Sequence, residues 1–127
     1  LLWGIGSEKL NPQGSGDKKV QSYNFRLCLT DSAENRIPIE RPSDYDSSRY
    51  ELLIRLIEAT GDHDLWHYLS LGRMPMRKTD INNNGAYSTD MIGMSWDYPD
   101  GSFELRSQIF IDHKSYTKGL LYFFDFE

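Results

Sequence analysis

The chain has 127 residues, of which 39% are hydrophobic, 13% aromatic and 26% charged, and its formal net charge at pH 7 is -5. This length and aromatic content suit one ordinary domain with a moderate core and exclude a disordered chain. The acidic balance offers no general attraction to phosphate backbones, and no apolar stretch approaches the ~20 residues of a membrane span, so neither nucleic acid nor a membrane is expected as a partner.

From Leu1 to Lys19 the residues Gly4, Gly6, Gly14, Gly16 and Pro12 punctuate the chain too densely for a regular element. Residues 1–19 therefore read as loop, mobile or held by a surface outside this chain. Val20 to Leu29 alternates as a strand, with Tyr23, Phe25, Leu27 and Leu29 on an expected core face and Asn24 and Arg26 on a polar one. The single cysteine, Cys28, lies between Leu27 and Leu29; it permits no internal disulfide and is expected to be a buried structural thiol.

Pro38 and Pro42 forbid long ladder pairing, so residues 31–47 form an extended connector. Ser48 with Glu51 makes a capping box, after which Leu52, Leu53, Leu56 and Ile57 recur at helical spacing until Gly61 supplies a stop. Leu65 to Leu71 is apolar but too short for its period to separate strand from helical turn. Gly72 to Asp100 shows no sustained period and reads as a long irregular segment of the kind that often carries function. A last helix begins at Ser102 with Leu105, Ile109, Tyr116, Leu120 and Phe123 on one stripe and is expected to continue past Leu121-Tyr122, although the chain ends abruptly at Phe124-Asp125-Phe126-Glu127. The start at Leu1 and this tail both read as cuts. The fold class expected from these elements is α+β, with antiparallel strands and two main helices, in one partial domain over residues 1–127.

The densest chemistry lies in Lys78-Thr79-Asp80-Ile81-Asn82-Asn83-Asn84-Gly85, where carboxamides, a carboxylate and a cation crowd together. Asp80, Asn82, Asn84 and Gly85 match the first half of an EF-hand calcium loop, but Met91 stands where the closing Glu belongs, and Pro75 interrupts the approach. Two further readings stay open: Asn residues serving turn positions, and a polar contact to a ligand. His63-Asp64-Leu65-Trp66-His67 resembles a zinc motif with Asp for Glu. A zinc site needs three protein ligands, and His113 lies far off in the last helix, so ordinary histidines are the favoured reading. No phosphate-binding glycine loop is present: Gly14-Ser15-Gly16 and Gly4-Ile5-Gly6 both lack the required spacing.

Several unusual strings follow one another in collinear order. They are Gly16-Asp17-Lys18-Lys19-Val20-Gln21-Ser22-Tyr23-Asn24-Phe25-Arg26-Leu27-Cys28-Leu29-Thr30, then Asn35-Arg36-Ile37-Pro38, then Lys78 to Gly85 with Ser88-Thr89-Asp90, and finally Tyr116-Thr117-Lys118-Gly119-Leu120-Leu121-Tyr122. Together they resemble the FAD-dependent oxidoreductase family often labelled xanthan-lyase-like. The resemblance implies a two-domain Rossmann-type flavoprotein, with this chain as part of the substrate-side domain and the FAD-binding domain missing from it. Tyr23 and Asn24 are then expected to contact the cofactor. Arg26 and Lys78 would stabilise negative charge near the flavin ring, and Asp80 would accept a proton. Asn82, Asn83 and Asn84 would orient the hydroxyls of a small, polyhydroxylated substrate. The alternative from another class is a calcium- or carbohydrate-binding module that uses the Asp80 to Asn84 loop, and a third reading is an inert fragment.

Overall fold

A computed structural model describes residues 1–126. The fold is α+β: a three-stranded antiparallel sheet of β1 (Leu27–Thr30), β2 (Leu69–Met74) and β3 (Lys78–Asn83), with helices α1 (Glu51–Thr60) and α2 (Phe103–Phe126). Strand β3 is central, in the order β1-β3-β2. Residues 31–46 contain no regular element, as the prolines require, and neither do residues 1–26.

Strand β1 is much shorter than the alternation over Val20 to Leu29 suggests. Ladder pairing starts only where Leu27 faces Ile81. Upstream, the Tyr23 amide donates to Ser95 Oγ at 3.1 Å instead of to a neighbouring strand, so pattern alone does not extend the sheet. The larger difference is β3 itself. Lys78 to Asn83 was expected to lie in irregular chain, because Asp and Asn are depleted in strands and Ile81 is its one aliphatic residue. Pairing on both sides overrides that preference.

Helix α1 is entered through a short 3-10 turn, Ser47–Tyr50, whose cap is Asp46 rather than Ser48: the Ser48 amide donates to Asp46 Oδ1 at 3.0 Å. Gly61 closes the helix as expected, in the left-handed conformation at φ 66°, and its amide reaches Ile57 O at 2.7 Å. Ser102 caps α2 by accepting from the Leu105 amide at 3.2 Å. Helix α2 then runs past Leu121 and Tyr122 to Phe126, as expected.

The core gathers Tyr50 and Leu53 from the α1 region, Tyr68 and Met91 from the connecting chain, and Tyr116, Leu120 and Phe123 from α2. Trp3 stacks on Tyr116, with centroids 5.4 Å apart and planes at 19°, so part of the amino-terminal loop is held by the core of this chain. Burial along the α2 stripe is confined to its second half: Tyr116, Leu120 and Phe123 are buried, while Leu105 is 42% exposed. Gly119 has a packing reason. A Cβ at this position would collide with the hydroxyl of Tyr50, which donates to Tyr116 O at 2.8 Å.

Candidate functional site

Strand pairing decides which side chains meet. Cys28 faces Asp80 in the β1/β3 ladder, so Cys28, Asp80, Lys78 and Asn82 share one face, while Leu27, Leu29, Thr79, Ile81 and Asn83 share the other. Ile81 and Leu69 are buried on the second face, which is the core side. Cys28 is exposed, contrary to the buried thiol expected from its leucine neighbours. Alternation sets it on the solvent side of a half-covered sheet.

Arg26 clamps Asp80 on this open face. Its Nε donates to Asp80 Oδ1 at 3.0 Å, and Nη2 makes a second, shorter contact to Oδ2. The guanidinium hydrogen bonds hold the Asp80 carboxyl below its usual range, and the carboxylate in turn raises Arg26. Asp80 in this arrangement is ionised and already engaged, so it accepts a proton only if Arg26 swings away. Lys78 is half-buried at the start of β3 and stands about 7 Å along the strand from Asp80, on the same face.

The Asn cluster is built around Asn24. Its Nδ2 donates to Asn82 Oδ1 at 2.8 Å, to Asn83 Oδ1 at 3.2 Å and to Thr89 Oγ1 at 3.4 Å. One amide has only two hydrogens, so these three acceptors share them. Asn83 passes the network on, donating from Nδ2 to Asp90 Oδ2 at 2.7 Å. Asp90 was absent from the residues singled out by sequence, although it lies in the string Ser88-Thr89-Asp90. Hydrogen bonds from Ser22, Asn83 and Asn24 favour its charge, yet burial outweighs them and pushes its carboxyl up. Asn84 does not join the cluster: it is exposed and donates to Trp66 O at 2.8 Å.

Tyr23 is 38% exposed and meets Tyr98 edge to face, with centroids 5.6 Å apart. Tyr23, Asn24, Phe25, Tyr98, Phe110 and His113 line a cavity of about 190 Å³. The two residues expected to touch a cofactor therefore border one aromatic-walled recess. His113 forms its floor: Nδ1 lies 2.8 Å from Ile109 O, which places the proton there, and leaves Nε2 to accept from the Ser95 hydroxyl at 3.4 Å.

The metal readings meet a geometric obstacle. Asp80, Asn82 and Asn83 stand in an extended strand, and a straight strand cannot wrap its oxygens around one calcium ion. His63 precedes and His67 ends a 3-10 turn, Leu65–His67, capped by Asp64, and His67 Nδ1 is 2.5 Å from Asp62 Oδ2. Among the described residues, no group of three His, Cys, Asp or Glu side chains is placed to hold a metal ion. No described helix is long and apolar enough to cross a membrane. Comparison with known proteins finds no matching family model, no matching curated protein and no matching solved structure.

Proposed function

We propose that this chain is the substrate-side region of an FAD-dependent oxidoreductase, with the nucleotide-binding domain in residues outside it. One observation carries the reading: segments far apart in sequence meet, Asn24 bonding Asn82, Asn83 and Thr89, Asn83 bonding Asp90, and Arg26 pairing with Asp80 along the same strands. They belong to two of the four strings on which the family resemblance rests. The donor set suits the ring end of a flavin, because its heteroatom edge accepts hydrogen bonds from amides and guanidinium, and the recess beside Tyr23 and Asn24 is walled by aromatic rings. The sequence has no phosphate-binding glycine loop, so on this reading the nucleotide half of FAD would be held by the other domain.

When bound, the flavin supplies the hydride acceptor. The protein's share is orientation and charge. On the open face Asn82 is held in a fixed position by Asn24, a hydrogen-bonding group against which substrate hydroxyls align, while Asn83 ties Asn24 to Asp90 from the other face. Lys78 supplies positive charge on the same face, and Arg26 adds to it to the extent that Asp80 releases it. A polyhydroxylated substrate fits these donors better than an apolar one.

The test is expression of the polypeptide encoded in frame with the upstream sequence. Bound flavin, seen by its visible absorbance, is the expected result, with occupancy reduced in Asn24→Ala and in Arg26→Ala. A whole polypeptide that purifies folded but colourless, or an upstream region without a strand-GxGxxG-helix unit, would end the proposal.

A further inference from the structure

We propose that the small cavity over Asp90 binds an organic ammonium ion of roughly methylammonium to trimethylammonium size. This site lies on the core side of the Asn cluster and does not depend on the flavin reading. Its volume is about 100 Å³, and Trp3, Leu52, Tyr87, Asp90, Ile92 and Tyr116 are among its walls.

Charge is the first argument. The Asp90 carboxylate accepts from the Asn83 amide at 2.7 Å, a neutral group that fixes it without cancelling its charge. Among the described residues, no ion pair reaches Asp90. A half-buried carboxylate with no cation beside it is costly, and a cationic ligand would remove that cost.

The walls argue for the kind of cation. Tyr87 spends its hydroxyl on the Arg49 carbonyl, so what it brings to the cavity is ring surface, whereas the Tyr116 ring is buried between Trp3 and Tyr50. Trp3 lies stacked on Tyr116, and Leu52 and Ile92 add aliphatic carbon. Aromatic faces attract cations, and aliphatic walls favour ones carrying methyl groups. A hard metal ion would find one carboxylate where it needs six or more oxygen ligands. A cavity of about 100 Å³ suits a small cation better than a sugar.

The experiment is titration of the isotope-labelled chain with methylammonium and trimethylammonium chlorides, followed by amide and indole NMR shifts. Sodium chloride at matched ionic strength and tert-butanol serve as charge and shape controls. Saturable shifts at Trp3, Tyr87 and Ile92 are expected with the organic cations alone. Asp90→Asn, which keeps an acceptor for Asn83, should retain the amide spectrum and weaken binding at least tenfold. Ile92→Trp, at a position 59% exposed, should block the cavity with Asp90 intact and abolish binding. Equal shifts with sodium chloride, no saturation, or undiminished binding in folded Asp90→Asn or Ile92→Trp would each overturn the assignment.

Discussion

Asp80 and Asp90 are carboxylates under opposite influences, and this sets opposite pH dependences. Asp80 sits under the Arg26 guanidinium, so its folded pKa is depressed; its stabilising contribution is present above the ordinary carboxylate range and is lost as pH falls through the lower folded value. Asp90 is raised by burial, so the stability it contributes is complete below the ordinary range and is lost as pH rises through the elevated folded value. In urea unfolding followed from acid to neutral pH, Arg26→Met should flatten the first dependence and Asp90→Asn the second. Identical slopes in wild type and Asp90→Asn would mean that the carboxyl is not desolvated. A second residue-scale prediction concerns Gly119 and Tyr50. Tyr50→Phe loses a buried hydrogen bond to Tyr116 O, worth about 1 kcal/mol. Gly119→Ala forces a methyl against the same hydroxyl, an overpacking cost of about 1–3 kcal/mol. Because removing the hydroxyl also relieves the clash, the double variant should cost less than the sum by about 0.5 kcal/mol or more, measured by a double-mutant cycle.

At the scale of elements, the helices were largely legible in sequence and the sheet was not. Gly61 ends α1 where a glycine after an apolar-periodic run should, and its left-handed φ of 66° means that Gly61→Ala should cost about 1 kcal/mol in thermal unfolding. A smaller loss would show that the turn relaxes. Strand β3 escaped sequence reading because its residues are chosen for a face and not for strand preference: Asp80, Asn82 and Asn83 have low β propensity, and only the ladders to β1 and β2 hold them extended. The preceding hairpin was equally hidden, since Met76 and Arg77 both take φ of 59° without a glycine or asparagine to announce it. Tertiary contacts hold that bend, with Arg77 Nε donating to Asp31 Oδ1 at 2.8 Å and Thr30 Oγ1 donating to Arg77 O at 2.8 Å. The chemistry of the Asn run was readable from composition. That Asn24 joins it, and that Asp90 terminates the network, depended on long-range pairing that no local pattern encodes.

Across the whole molecule, apolar side chains are unevenly covered. The second half of α2 carries the core, whereas Phe103 is 84% exposed, Phe110 52% and Ile111 56% on its first half. Surface of this kind binds hydrophobic dyes in the native state. The folded chain should therefore enhance the fluorescence of such a dye, and Phe103→Asp, at the most exposed of these positions, should diminish it with little change in stability; a dye signal seen only on unfolding would show that the patch is too scattered to bind. The open face of the sheet has a different practical meaning. Cys28 is the sole cysteine, it is exposed, and it stands directly across the ladder from Asp80. A thiol-reactive fluorophore would thus attach at one place without any engineered residue, directly beside the Arg26 and Asp80 pair. The rate of that labelling becomes a footprint: whatever lies over the polar face, be it substrate, cofactor or another domain, slows the reaction in proportion to the time it spends there.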